Sequence, residues 1–178
     1  MRFIEKVEQE LFQKTKANWE AQLLEFEGNV SEPYYASALE YYERHINGEV
    51  ERGDGDGCLA AVVDVEGHAK ALFVVNHTRP KSDSPHLKMM DLHVEPQLNV
   101  ADREPNYPQL AAIAAHAIIG CLGMTYDKYP SNELKIFTAI PLDKEFALSV
   151  MAVMFSKDGL EEKFSVSSHG NWIVVRKK

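Results

Sequence analysis

A mixed α/β (α+β) domain, in which helices flank a central sheet of mostly antiparallel strands, is the fold class predicted by the order of patterns along the chain. Three observations predict it. Two helical periodicities come first, a run of small and β-branched residues then doubles back at Glu66-Gly67, and strand and helix patterns alternate from there to a terminal strand pair. The 178 residues suit one domain, spanning 1–178, that can bury a single substantial core.

Residues 3–27 place Phe3, Ile4, Val7, Leu11, Phe12, Trp19, Leu23 and Leu24 at helical spacing, and Gly28-Asn29 supplies a stop. Ser31 as cap and Pro33 just inside predict a second helix to about Ile46, where Asn47-Gly48 ends it. The glycine-rich acidic stretch 53–57 looks like a calcium loop only superficially. Counted from Asp54, the twelfth position, where such a loop needs a glutamate, is Val65. Residues 59–65 and 69–75 read as a hairpin, because Gly67 can adopt the positive φ of a tight turn. A polar loop from Asn76 to Pro85 leads to a strand over 87–94 that Glu95-Pro96 terminates.

A polar connection follows over 97–107. Pro108 then opens a helix whose Leu110, Ile113, Ala117, Ile118, Cys121 and Leu122 keep a three-four spacing as far as Gly123. Residues 133–140 form a strand, Asp143 caps a last helix over 144–156, and 164–168 pairs with 172–176 across His169-Gly170-Asn171.

The formal charge of −8 opposes a nucleic-acid surface, which needs a basic stripe. Residues 1–57 carry 6 Lys/Arg against 13 Asp/Glu and the remainder 13 against 14, so the acidity belongs to the first third. It reads either as a solvated helix face or as a wall attracting an amine-bearing partner. No membrane partner is expected, since no apolar run reaches the ~18 residues that span a bilayer. With no basic leader either, the expected location is cytoplasmic. Cys58 and Cys121 lie in apolar stretches without CxxC spacing and read as buried free thiols.

Three short segments carry a family resemblance. The hairpin with its Glu66-Gly67 turn, the segment Leu92-His-Val-Glu-Pro96 and the turn Phe155-Ser-Lys-Asp-Gly-Leu-Glu-Glu162 resemble, in order, three parts of one family. These are the second and third strands, the fourth strand and the end of the last helix of the GCN5-related N-acetyltransferase (GNAT) superfamily. The resemblance covers roughly residues 3–176. It implies a GNAT-like fold and acyl transfer from acetyl-CoA or another acyl-CoA to an amine on a small molecule or a protein. The cofactor side would include Val94, Arg103, Tyr107, Gln109 and Leu110. Dimers are common in that family, so a homodimer is left open, although no exposed apolar stripe demands one.

The sequence departs from the family in two places. Family members bind the pyrophosphate with a glycine-rich loop, because glycine lets backbone N–H groups approach closely at a helix start. Here the connection from Gln97 to Gln109 has no glycine, and Arg103 is its only basic residue. Family members also carry an Asn and, seven residues on, a Tyr that protonates the leaving thiolate; the matching positions are Leu148 and Phe155. Tyr126 or Tyr129 could substitute. A GNAT-fold binding or interaction protein without catalysis is therefore the alternative reading.

Strand alternation sets Met90, Leu92 and Val94 on one face and Asp91, His93 and Glu95 on the other. A carboxylate or imidazole there could take the proton of an attacking amine, and Glu95, at the strand end, is the first choice of base, ahead of His93 and Asp91. The same triplet contains metal-ligand types, but no fixed spacing joins it to His86 or His116, and no metal is expected. Ser167-Ser168-His169-Gly170 reads as a turn, and no nucleophile elbow exists. Tyr34, Tyr35, Tyr41 and Tyr42, among Glu32, Glu40 and Glu43, read either as sheet packing or as an aromatic wall for a cationic amine.

Overall fold

Strands β2 (Asp56–Val63) and β3 (Ala69–Thr78) are buried on both faces over most of their length, which is why they read as near-continuous apolar runs. They lie inside a seven-stranded sheet with β1 (Arg2–Ile4), β4 (His86–Val94), β5 (Glu133–Phe137), β6 (Phe164–His169) and β7 (Trp172–Lys177), in the order β1-β2-β3-β4-β5-β7-β6. Every neighbouring pair is antiparallel except β4 and β5. Helices α1 (Gln9–Glu25) and α2 (Glu32–Ile46) precede β2, α3 (Tyr107–Met124) crosses from β4 to β5, and α4 (Pro141–Asp158) follows β5. This is the mixed, mostly antiparallel, helix-flanked arrangement expected from the sequence. The computed structural model describes residues 1–50, 56–101, 103–139 and 141–178; parts of the acidic glycine stretch and the end of the strand expected over 133–140 lie outside them.

The sheet separates two cores. One face packs Ala60, Val62, Phe73, Leu87, Met89, Leu134, Ile136 and Ile173 against Ile113, Ala117, Ile118 and Cys121 of α3 and Val150, Met151 and Phe155 of α4. The other packs Leu59, Ala61, Leu72 and Val74 against Phe12, Trp19 and Leu23 of α1 and Tyr35, Leu39 and Tyr42 of α2. The second core contains no residue of β5, β6 or β7. Both cysteines are buried and neither is in a disulfide. Cys58 Sγ donates to the Glu5 carbonyl at 2.9 Å, and burial pushes the Cys121 thiol far up.

Two expectations change. The first residues are not helical: Arg2–Ile4 pairs with β2, from Arg2↔Val63 to Ile4↔Ala61. Phe3 packs against the α3–α4 core and Ile4 against the α1–α2 core, opposite directions that a strand provides and one helical stripe does not. Second, α3 is long and apolar enough by length and composition to cross a membrane, contrary to the reading that no such stretch exists. Its sheet-facing residues Ile113, Ala117, Ile118, Cys121, Leu122 and Met124 belong to the first core.

Gly120 lets β1 and α3 meet. A Cβ built there would lie 2.2 Å from the Phe3 ring, closer than carbon atoms approach. Gly120→Ala is expected to cost about 1–3 kcal/mol by overpacking. Urea unfolding measures the loss, and Phe3→Leu in the same chain should recover part of it; equal stability of the single variant and the parent would refute the contact.

Candidate active site at the splayed strands

Strands β4 and β5 keep parallel register only from His86↔Glu133 to Met89↔Ile136. Beyond that, Met90 to Val94 continue along β3 with no β5 partner, so the sheet splays between the carboxyl ends of its two parallel strands. Helices α3 and α4 both begin near those ends, a position where α/β sheets place their ligands.

A bulge sits on the β4 side of this opening. Leu72↔His93 and Val74↔Met90 are register partners, so Asp91 and Leu92 together oppose Phe73. Asp91 takes a left-handed φ of 53°, an unfavourable conformation for a residue with a Cβ. The extra residue breaks the alternation expected for β4. Met90 therefore shares the α1–α2 face with His93 rather than the opposite face with Leu92 and Val94, which pack on the α3–α4 core.

The α1–α2 face of the bulge is lined by tyrosines. Tyr42, fully buried on α2, donates to the Leu72 carbonyl at 3.0 Å, and its hydroxyl also meets the Asp91 carbonyl and His93 Nδ1. His93 Nδ1 lies 2.9 Å from the same Asp91 carbonyl. Two oxygens therefore surround Nδ1. A proton on Nδ1 satisfies both and leaves Nε2 with its lone pair free, and no described residue hydrogen-bonds Nε2. Burial lowers the His93 pKa, against smaller raising effects of the Asp91 carbonyl and carboxylate, and so keeps the ring neutral. The Tyr34 ring lies 4.8 Å from the His93 ring, and the Tyr41 hydroxyl meets the Asp91 carboxylate. Burial, then Asp143 and Asp91, raise the Tyr34 pKa and hold its proton. Asp143 lies in the first turn of α4, so Tyr34 faces the mouth of the splay.

Glu95 is placed differently. It has no exposed surface, and Lys70 Nζ contacts Oε1 at 2.9 Å and Oε2 at 3.0 Å. Gln22 of α1 reaches Oε2 at 3.4 Å and accepts from the Gln97 backbone N–H at 3.0 Å. Burial pulls the Lys70 pKa down, but the Glu95 and Asp64 carboxylates outweigh it and hold the ammonium above its ordinary value. A carboxylate gripped this way anchors α1 to the end of β4 and offers nothing to a proton in the splay. Asp91, His93 and Glu95 therefore share a face without converging.

The residues expected on the cofactor side are distributed as follows. Val94 ends β4 on the α3–α4 face, and Arg103 lays its guanidinium 4.8 Å from the Phe26 ring centre. Tyr107 is exposed and Leu110 half-buried at the start of α3. The first-turn donors are already engaged: Tyr107 N–H with the Pro105 carbonyl, Gln109 N–H with Asn106 Oδ1 and Leu110 N–H with the Asn106 carbonyl. Pro108 has none. The backbone N–H groups of Tyr107, Gln109 and Leu110 are thus all engaged within the turn.

Phe155 is buried against Phe164 in the α3–α4 core. Tyr126 and Tyr129 do not replace its missing hydroxyl. Tyr126 packs under Lys177 and Tyr129 against His77, at the end of the sheet away from the splay. A recess of about 340 Å³ lies at that far end, lined by Ser84, Pro85, Asn132, Glu133, Arg176 and Lys177, and includes no expected site residue. At the β2–β3 turn, Asp64, Glu66 and His68 bring ligand atoms within 4.8 Å, but Lys70 and two backbone N–H groups already occupy the Asp64 carboxylate.

No protein-family model and no curated protein matches the chain. Among solved structures it is similar to an acetyltransferase of the GNAT family from Staphylococcus aureus, at 10% identity and a TM-score of 0.43 over 99% of this chain and 98% of that one. It is also similar to a GNAT superfamily phosphinothricin acetyltransferase from Sinorhizobium meliloti in complex with AcCoA, at 12% identity and a TM-score of 0.39 over 98% and 84%. Likeness at this level leaves the chemistry to this chain's own residues.

Proposed function

We propose that the protein transfers an acyl group from a thioester, of the acyl-CoA class, to an amine. The observation that carries this reading is the His93 imidazole, with Nδ1 held between the Tyr42 hydroxyl and the Asp91 carbonyl and no described partner at Nε2, beside a bulged strand at the mouth of a splayed parallel pair. The unpaired length of β4 from Met90 to Val94 can take an extended amide chain such as a pantetheine arm as an added strand. The engaged first turn of α3 does not fit a diphosphate, so in this reading the donor is held by its arm.

In the reaction the amine nitrogen bonds to the thioester carbonyl carbon while His93 Nε2 takes its proton. The C–S bond breaks, the thiolate takes a proton from the Tyr34 hydroxyl, and the imidazolium returns one to Tyr34 through solvent. The products are an amide and a thiol, with no net change in protons. Neutral His93 suits the first step and protonated Tyr34 the second.

The test is thiol release from acetyl-CoA and from acetyl-pantetheine in the presence of an amine panel. The two donors are expected to give kcat/KM values within about tenfold, because a diphosphate that meets no free donors adds little binding. A hundredfold preference for acetyl-CoA would show that the nucleotide is gripped elsewhere. No release from either donor, with no thermal shift at millimolar ligand, would instead favour the binding-protein alternative, for which the engaged α3 turn is the specific support.

A further inference from the structure

Among the described residues, the α1–α2 layer stops at β4 and no helix covers the sheet face beyond it. On the same side, the continuing sheet face presents Lys88 on β4, Glu133, Lys135 and Phe137 on β5, Trp172 and Arg176 on β7, and serines on β6, with Val174 buried among them. Two features of this bare face point to a ligand. Lys88 and Lys135 are register partners on neighbouring strands, and like charges side by side destabilise a sheet unless something neutralises them. The nearby carboxylate, Glu133, lies 3.6 Å from Lys135 but is shared with Arg176, whose Nε donates to it at 2.8 Å. Lys88 pairs with no described carboxylate and lies 5.6 Å from the centre of the Trp172 ring. The rings of Trp172 and Phe137 are 5.2 Å apart, and Phe137 remains 37% exposed. Positive potential is felt beside them: after burial, Lys135 is the next cause holding the His86 pKa down.

The other end of the face is acidic and aromatic, with Asp91, Tyr34 and Tyr41 around His93. A molecule lying along β4 would thus meet two cations at one end and a base with a carboxylate at the other. Lys88 and His93 are register partners of Asn76 and Leu72, four positions apart along β3, about 13 Å at the rise of a strand.

Building on the acyl-transfer reading, we propose that this bare face is the acceptor platform. Its acceptor is an amine carrying a carboxylate, with the anionic group between Lys88 and Lys135, the body of the molecule against Trp172 and Phe137, and the nitrogen at His93. The acceptor is a small zwitterion with well-separated charges rather than a polycation, although the chain's acidic first third would attract polycations. Its fit is by charge complementarity at both ends.

The test titrates the whole protein with 4-(2-aminoethyl)benzoate, whose amine and carboxylate stand on opposite sides of a ring, and with phenethylamine, which lacks the carboxylate. Tryptophan fluorescence is the readout, because Trp19 is fully buried in the α1–α2 core and Trp172 is on the platform. The benzoate is expected to bind at least tenfold tighter. Lys88→Gln and Lys135→Gln should each remove most of that difference, and the remote Lys6→Gln should keep it. Lys88→Glu replaces a like-charge pair with an opposite one and should fold at least as well as the parent by thermal melting. It controls for structural damage while still abolishing the preference. Equal affinities for the two probes, or an undiminished preference in both lysine variants, would overturn the platform. Acyl transfer to phenethylamine and the benzoate at equal kcat/KM would overturn it while leaving acyl transfer intact. Selective, lysine-dependent binding of the benzoate with no transfer from any thioester would remove the acyltransferase reading and leave a surface for anionic amines.

Discussion

Replacing His93 by glutamine is expected to lower kcat/KM for amine acylation by about a hundred- to ten-thousandfold, the range a general base contributes. The substitution keeps a polar side chain beside Tyr42 and the Asp91 carbonyl but removes the only basic nitrogen on that part of β4. Because burial lowers the His93 pKa, the acid limb of the pH–rate profile in the parent should fall below the ordinary imidazole value of about 6.5. The base is then available throughout the neutral range and is lost only when pH drops through the lowered folded-state value. The same shift acts on stability. The unfolded chain binds this proton more readily than the folded one, so folding weakens as pH falls from about 6.5 toward the folded value. A profile unchanged in His93→Gln, with activity retained, would assign the proton transfer to another group.

The second large effect concerns stability. Lys70→Met leaves the Glu95 carboxylate buried without its cation, and we expect a loss of about 3–5 kcal/mol. Combining it with Glu95→Gln should restore much of the loss, because the remaining amide can still pair with Gln22 and carries no charge. Denaturant unfolding of the two single variants and the double variant forms the cycle. Additive losses would mean that the pair is not coupled, contrary to its 2.9 Å and 3.0 Å contacts. The sign of the Lys70 shift sets the pH window: its folded pKa is raised, so its contribution is complete below about 10.5 and is lost as pH rises through the higher folded value.

Much of the architecture was legible in local chemistry. Pro33 and Pro108 each lie in the opening turn of a helix, and Gly67 has the positive φ that the β2–β3 turn requires, whereas the last helix begins at Pro141, with Asp143 inside its first turn rather than capping it. Long-range pairing was less legible. Phe3 and Ile4 fit a helical spacing as well as a strand, and only pairing with β2 and the missing Cβ of Gly120 decide between them. The bulge at Asp91 leaves no mark in a strand of otherwise ordinary composition, so the alternation put Met90 on the wrong face. Glu95 looked like a base because it ends a strand, but its partner Lys70 is 25 residues away on β3. His93 is a candidate on sequence alone, and Tyr42 stands out only as one of four helix tyrosines; that the two meet across 51 positions is a tertiary fact with no local signal.

The parallel register of β4 and β5 extends over just four residue pairs. On one side of that short seam lie β1 to β4, and on the other β5, β7 and β6. Hydrogen bonding thus fastens the two halves at the His86 end, whereas at the Val94 end they are joined only by side-chain packing in the α3–α4 core. Such a joint behaves as a hinge. A small rotation at the fastened end becomes a larger displacement at the open one. The width of the opening can then follow the molecule inside it without a single strand leaving its own half of the sheet.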